Sequence, residues 1–165
     1  MAHDLELATG RVLRPSAPDD APRLVAMFER CSRQTRYGRF LAPLQHFPAA
    51  HLVDVVRSSP IRRSWVVDDL ETGHVVAVGS WFRNQVHCAE VALLVEDARQ
   101  RQGVGTALLD ELVASARTAG ITTLLATTLA DARHVHRMLR RLGHTCIECG
   151  GPTCTLHVAL GVSRP

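Results

Sequence analysis

The stretch VHCAEVALLVEDARQRQGVGTALL, residues 86–109, decides the fold of this chain. Residues 86–95 are mostly apolar and rich in valine, and they predict a buried strand that contains one carboxylate, Glu90. A short polar turn follows and ends at Gly103 and Gly105. After these glycines the apolar residues recur at the spacing of an α-helix: Leu108, Leu109, Leu112 and Val113.

A strand, a glycine-containing loop and a helix in this order make an anion site. The first amides of a helix have no partner within the helix, and they point beyond its start. The helix dipole adds positive potential at the same place. Because glycine lets a ligand approach the backbone closely, the expected ligand is a phosphate or pyrophosphate. The alternative is an ordinary turn between strand and helix whose glycines only serve packing.

Two familiar phosphate motifs are excluded by the residues that follow Gly105. A P-loop needs Lys and then Ser or Thr, whereas this chain has Thr106 and Ala107. A dinucleotide fingerprint needs a small residue where this chain has Leu108. The remaining pattern in residues 100–105, Q/R-x-x-G-x-G/A, resembles the acetyl-CoA pyrophosphate loop of the GNAT superfamily of N-acyltransferases.

The composition is that of a globular protein. The chain has 165 residues, of which 46% are hydrophobic and 21% are charged, and we expect one domain over residues 1–165. The net charge of +3 is weak support for a nucleic-acid or membrane partner, so neither is expected. The polar N-terminus does not resemble a signal peptide, which favours a cytoplasmic location. Five cysteines, an odd number, favour reduced thiols.

The order of predicted elements supports the resemblance. The chain is interpreted as β, α, α, β, β, β, α, β, α, β, β, with residues 1–10 as a loose lead-in. Residues 32–48 show no clean period. This is the element order of the GNAT fold, an α/β (α+β) fold. The resemblance implies a mixed central sheet of about seven strands flanked by about four helices.

The resemblance implies acetyl-CoA as co-substrate and no metal. In this family the strand before the loop splays from its neighbour, and its free backbone groups pair with the pantetheine arm. By position these groups belong to Leu93 and Val95, and an amide there is expected to polarise the thioester. The residues implied for the pyrophosphate, mainly through their backbone, are Gln100, Arg101, Gln102, Gly103, Val104, Gly105 and Thr106.

Glu90 is the candidate general base. A carboxylate inside an apolar strand breaks the local pattern, and such breaks concentrate at functional sites. Burial is expected to raise its pKa toward the range that is useful for taking a proton from an amine. The alternative is a Glu that faces solvent at a strand end or sheet edge. Residues 89–92, AEVA, resemble the strand of the Pat-type bacterial protein-lysine acetyltransferases, in which the matching Glu is the base.

A second match to the Pat-type enzymes lies upstream. Ser32-x-x-Thr35-x-Tyr37-x-Arg39-Phe40 resembles their S-x-x-T/S-x-Y-x-R-F segment, which borders the acceptor groove in the GNAT fold. The resemblance implies that Tyr37 and Arg39 orient the acceptor or brace the loop. The alternative is that Tyr37 and Phe40 fill the core while Arg39 pairs with a carboxylate.

The chain departs from the family at several positions. Where many members carry an Asn and a thiolate-protonating Tyr, this chain has Ala132 and Leu139, so it lacks the usual general acid. The loop has Arg101 where Gly is common and Gln102 where Arg is common. These changes leave the loop amides in place, and water can protonate a thiolate.

Cys146, Cys149, Cys154 and His157 have a spacing that is seen in zinc sites. They fall on two strands that are predicted to form a hairpin, and strand residues three apart face opposite sides of the sheet. A metal is therefore not expected, and reduced cysteine packed as a small apolar residue is the ordinary alternative.

The predicted function is transfer of an acetyl or other short acyl group from acyl-CoA to a primary amine by direct attack. The Pat-like segments favour a protein lysine as acceptor, for example one on an acyl-CoA synthetase. A small amine is the second choice. A weakly catalytic or non-catalytic acyl-CoA-binding sensor is a third reading. Members of the resembled family often form a homodimer, although this sequence carries no interface signature.

Overall fold

The computed structural model describes residues 5–7 and 10–161, which form a mixed α/β fold. The strands are β1 (Leu5–Leu7), β2 (Arg11–Pro15), β3 (Arg62–Asp69), β4 (His74–Gln85), β5 (Cys88–Val95), β6 (Thr123–Leu129), β7 (Thr145–Gly150) and β8 (Thr153–Ala159). The helices are α1 (Ala21–Arg30), α2 (Arg33–Phe40), α3 (Ala49–Val56), α4 (Val104–Thr118) and α5 (Arg133–Arg140). No helix in these two ranges is both long and apolar enough to cross a membrane.

The eight strands form one sheet in the order β1-β2-β3-β4-β5-β6-β8-β7. Neighbouring strands are antiparallel except for the central pair β5 and β6, which is parallel. A parallel pair needs a crossover connection, and α4 supplies it. The strand, loop and helix of residues 86–109 therefore lie at the centre of the sheet.

Apolar side chains pack on both faces of the sheet and make two cores. On one face, α4 contributes a buried row to the larger core, which also contains Ala89 and Val91 of β5. On the other face, α1 and α3 pack over Leu94 with buried Phe28. Because successive residues of a strand point to opposite faces, β5 contributes to both cores.

Gly79 lets α4 approach the middle of β4 closely. A Cβ atom at this position would lie 2.7 Å from Leu112 Cδ1 and 3.0 Å from Leu108 Cγ and from Leu93 Cδ2. A side chain here would push α4 away from the sheet. Since residues 96–103 lead directly into α4, this contact also restricts where the start of that helix lies.

The structure corrects the sequence interpretation at two elements. Residues 33–40 form α2, although the segment showed no clean period. This helix buries no residue completely; it is held by its N-cap, where Ser32 Oγ accepts a hydrogen bond from the Thr35 N–H (3.2 Å). Leu5–Leu7 form β1 in the stretch predicted as a lead-in, paired with β2. The described chain thus has eight strands and five helices, one more of each than predicted.

The prediction of reduced thiols is wrong for one pair. Cys149 and Cys154 face each other across the β7–β8 hairpin and form a disulfide. Cys146 and His157 face each other three residues further along. Within the described residues, no group of three or more His, Cys, Asp or Glu side chains is arranged to hold a metal ion.

Candidate acyl-transfer site

A groove opens in the middle of the sheet, where β5 and β6 part. The two strands pair only at their starts, and the last pair is Glu90 with Leu125. Beyond that point residues 91–95 and 126–129 diverge and line a groove of about 690 Å³. We call it the splay groove. The sheet is thus open beside the strand that the sequence predicted to splay.

The backbone of β5 turns its alternate polar groups into the splay groove. The carbonyl of His87 accepts hydrogen bonds from the N–H groups of Thr122 and Thr123, at the start of β6. The N–H of Glu96 donates to the carbonyl of Val76 on β4. Backbone groups alternate in direction along a strand, so the odd-numbered residues 91, 93 and 95 face the groove. Leu93 and Val95 are among these residues, and their pairing with the pantetheine arm stays a prediction.

The loop of residues 96–103, which we call the glycine loop, closes one end of the splay groove. Two of its residues have left-handed backbone conformations: Arg101 at φ 58° and Gly103 at φ 82°. A non-glycine residue in this region is uncommon and marks a backbone held by its surroundings. Directly afterwards α4 begins at Val104, with its unpaired first amides at the groove.

The carboxylate of Asp97 joins the glycine loop to the start of α2. It accepts hydrogen bonds from Ser32 N–H (2.8 Å), Ser32 Oγ (2.7 Å) and Thr35 Oγ1 (2.8 Å). These bonds outweigh the effect of partial burial and hold the pKa of Asp97 below its usual value. A carboxylate at a helix N-terminus is also stabilised by the helix dipole. The Ser32-x-x-Thr35 spacing therefore serves to brace the loop.

The two glutamines of the loop are exposed, but their side chains are hydrogen-bonded to the protein. Gln100 Nε2 donates to Thr35 Oγ1 (3.1 Å) and to the Val95 carbonyl (3.0 Å). Gln102 donates to the Ala98 carbonyl (2.8 Å) and accepts from Arg11 (2.6 Å). Their side chains hold the loop in shape, so only their backbone groups and that of the buried Val104 remain candidates for a phosphate. The side chains of Arg101 and Thr106 line the groove.

The opposite side of the groove carries Arg39 on α2. Its guanidinium donates to Nε2 of His51 on α3 (2.9 Å) and stacks over the Phe40 ring at 4.7 Å. Because a guanidinium has no acceptor, the His51 Nε2 atom must be unprotonated. Burial and the nearby Arg39 charge lower the pKa of His51 to about 4, and burial lowers the pKa of Arg39 to about 10.

Glu90 lies where the strands part, but it is exposed, so the predicted burial is wrong. The strand alternation points Ala89 and Val91 into the larger core and turns Glu90 to the opposite face. It is exposed to solvent there, and its Oε1 accepts one long hydrogen bond from Asn84 Nδ2 (3.4 Å). The carboxylate therefore remains open to a ligand.

Three other predicted positions are placed clearly. Tyr37 is exposed and lies outside the wall of the splay groove, whereas its neighbours Gly38 and Arg39 form part of it. Ala132 and Leu139 both line the groove from the side of α5. Neither carries a proton donor, so the departures noted from sequence lie at the groove itself.

Comparisons with known proteins agree with this geometry. The model of the acetyltransferase (GNAT) family matches residues 23–144. The chain belongs to the GNAT family. It is 29% identical over 135 residues to acetyltransferase Pat of Mycolicibacterium smegmatis, covering 79% of this chain and 40% of that protein. The chain therefore spans less than half the length of this curated relative.

Solved structures show the same fold. The GNAT domain of S. lividans Pat superimposes with a TM-score of 0.83 at 27% identity, over 96% of this chain and 97% of that one. A putative acetyltransferase from Salmonella typhimurium, solved with its cofactor acetyl-CoA, matches with a TM-score of 0.73 at 15% identity, covering 94% and 96%. The second likeness concerns the fold alone. The GNAT assignment makes acetyl-CoA the substrate to be tested against the groove.

Sequence reasoning missed several parts of this GNAT site. Asp97 and His51 were not singled out, and the walls formed by β6 and α5 were unknown. For Asp97 a signal existed, since Ser32-x-x-Thr35 is a capping pattern that leaves a hydroxyl for another partner. For His51 there was none, because its contact with Arg39 joins two helices across a loop.

Proposed function

We propose that this GNAT protein transfers an acetyl or similarly short acyl group from acyl-CoA to a primary amine, with a protein lysine as first choice. The observation that carries the proposal is the splay groove: backbone groups of β5 face it, and the glycine loop closes it beside the start of α4. Its volume of about 690 Å³ and the helix start at one end suit a pantetheine arm that ends in a pyrophosphate.

The residues present fit acetyl-CoA, which supplies the activated acyl group of the reaction. The amides of residues 101–106 are suited to hold the pyrophosphate, and the backbones of Leu93 and Val95 the pantetheine arm. The Val95 carbonyl already accepts from Gln100, so its N–H is the group that remains for the ligand. An N–H on this strand is also placed to polarise the thioester carbonyl.

Glu90 is the base in this proposal. It lies at the end of the β5–β6 pairing, away from the glycine loop, where the thioester would end. An exposed carboxylate takes a proton from an ammonium ion directly or through a water, and it places the amine by charge. With Ala132 and Leu139 in the groove wall, we assign the protonation of the thiolate to water.

The lysine acceptor rests on likeness to the Pat proteins, both in sequence and in the GNAT domain. An acyl-CoA synthetase is the first candidate partner, and the cytoplasm is the proposed location because the reaction consumes acyl-CoA. A second function is favoured by one observation: the groove wall has Leu139 where a proton donor is usual. This favours a protein that binds acyl-CoA with little turnover.

CoA release, followed by detection of the free thiol, tests the proposal. Acetyl-CoA would be mixed with acyl-CoA synthetases, other lysine-bearing proteins and small amines, and its binding measured separately by calorimetry. Release above background with one acceptor class is the expected result. Binding of acetyl-CoA without release from any acceptor would replace the enzyme by the sensor. Absence of binding would contradict both functions.

A further inference from the structure

Arg39 lies between the splay groove and a second, much smaller pocket. It lines the splay groove, and it also lines a small pocket of about 10 Å³ beside α3. Ala92 and Leu94 of β5 border both spaces as well. The small pocket has room for about one water molecule, so the splay groove, at about 690 Å³, is the larger space beside Arg39.

The charge of Arg39 has no carboxylate partner among the residues that the structure describes. Other half-buried arginines have carboxylate partners, such as Arg14 with Asp20 (2.7 Å) and Arg99 with Asp69 (2.9 Å). Over residues 5–7 and 10–161, Arg39 has no such partner; its hydrogen-bond partner is the neutral ring of His51.

Arg36, one turn earlier on the same helix, shows the other way to satisfy a guanidinium. It stacks over the Phe28 ring at 4.7 Å and donates to the backbone carbonyls of Cys31 (2.9 Å) and Glu29 (2.8 Å). Arg39 has the same kind of ring contact with Phe40 but donates to no carbonyl in the described chain. Most of its N–H groups therefore remain for a ligand.

We propose that Arg39 is a specificity-determining residue that binds an anionic group, a carboxylate above all, on the acyl acceptor. A partly desolvated cation gains more from an anionic ligand than an exposed one does, and a guanidinium matches a carboxylate with two parallel hydrogen bonds. The groove beside it supplies the entrance. This inference rests on the proposed acyl transfer to an amine.

The amine of this acceptor would lie beside Glu90, since Glu90 is the base in the proposed function. Glu90, Ala92 and Leu94 share one face of β5, and Arg39 borders that face at Ala92 and Leu94. Residues two apart on a strand are about 7 Å apart, so the carboxylate and the guanidinium flank a short segment of the site. The nearby charges of Asp54 and Arg62 neutralise each other in an ion pair.

The face therefore complements a molecule that carries an ammonium group and a carboxylate within a few bonds. An amino-carboxylate such as 4-aminobutyrate or free lysine has this chemistry. A protein lysine beside an acidic residue has it too. An amine without a nearby anion, such as butylamine or cadaverine, leaves Arg39 without its counter-ion.

The test compares matched acceptors with saturating acetyl-CoA by free-thiol detection. The pairs are 4-aminobutyrate with butylamine, lysine with cadaverine, and a lysine peptide with Glu or with Gln beside the lysine. The wild type is expected to favour the anionic member by at least about tenfold in kcat/KM, mainly through KM. Arg39→Gln should remove the preference, and Arg39→Lys should restore part of it. The matched control Arg36→Gln should keep it.

Equal rates for both members of every pair, or an equal loss for both in Arg39→Gln, would overturn the inference. The small-molecule and peptide pairs show which source of carboxylate the site prefers. If no amine releases CoA, the proposed function fails, and calorimetry with the CoA-bound protein decides the inference separately. Binding of 4-aminobutyrate that is stronger than that of butylamine and is lost in Arg39→Gln would support it, and the lack of such binding would overturn it.

Discussion

The polar side chains on the two sides of the splay groove differ in how fully they are hydrogen-bonded. In the glycine loop, Asp97, Gln100 and Gln102 are tied into the protein by hydrogen bonds of 2.6 to 3.1 Å. On the acceptor side, Glu90 has one bond of 3.4 Å, and Arg39 has a neutral partner. A loop that binds a ligand through its backbone amides needs a fixed shape. Side chains that contact a reactant need hydrogen-bonding capacity that the protein itself does not use.

The largest expected effect concerns the acceptor side. Glu90→Gln keeps the size and the contact with Asn84 but removes the base, so turnover should fall by about 10² or more. Acetyl-CoA affinity should change less than about twofold because the glycine loop is untouched. Rates come from thiol release and affinity from calorimetry.

Glu148→Gln is the matched control, since Glu148 is exposed on the outer strand β7. If Glu90→Gln weakened binding and turnover together, Glu90 would belong to the scaffold and the contrast between the two sides would be lost.

The second effect concerns the backbone of the glycine loop. Gly103→Ala places a Cβ in a left-handed conformation, with no atom nearby to clash, so strain of about 1 kcal/mol alters the loop. We expect acetyl-CoA affinity to fall about tenfold because the amides move from the phosphate. Calorimetry measures the affinity.

Gly120→Ala makes the same change at the C-terminal end of α4, again at positive φ and in open space. It should lower the melting temperature similarly and leave the affinity intact. A loss of affinity in both variants would show that the effect is global.

A smaller effect should follow from breaking the hydrogen bonds that join Thr35 of α2 to the glycine loop. Thr35→Val removes the hydrogen bonds to Asp97 and from Gln100 while keeping the volume, and acetyl-CoA affinity should fall about three- to tenfold. Thr35→Ser should restore it. Thr118→Val removes a hydroxyl bond inside α4 and should have no effect on binding. An unchanged affinity in Thr35→Val would mean that the loop keeps its shape without α2.

The smallest effect is the pH dependence of the stability that the hydrogen bonds of Asp97 contribute. The pKa of Asp97 lies below its usual value, so the protonated carboxyl is disfavoured in the folded state. Its stabilisation is present above the ordinary pKa of about 3.9 and is lost as the pH falls through the lower folded pKa. Because Asp97 is exposed, the contribution is below about 1 kcal/mol.

The free energy of unfolding of the wild type minus that of Asp97→Asn should therefore shrink between about pH 7 and about pH 3. Denaturant titration at several pH values measures it. A constant difference across this range would show that the charge of Asp97 contributes nothing to this stability.

The sequence predicted the central strand, the glycine loop and α4 because their signals are local: an apolar run, two glycines and a helical period. It failed at α2, whose residues are largely polar and which depends on a cap and on Asp97 sixty-odd positions away. It also failed for Cys149 and Cys154, since an odd cysteine count does not reveal a hairpin register.

The sequence by itself determined the order of the elements, the loop pattern and the resemblance to GNAT proteins, because these depend on neighbours along the chain. Only the tertiary structure decided which side chains stay open. Glu90 is exposed because strand parity turns it away from the larger core and it lies two repeats of the pleat from Leu94, over which α1 and α3 pack. Arg39 meets His51 because α2 and α3 pack on the same core. The burial of a side chain and its contacts depend on residues far apart in the chain, so a local sequence pattern does not predict them.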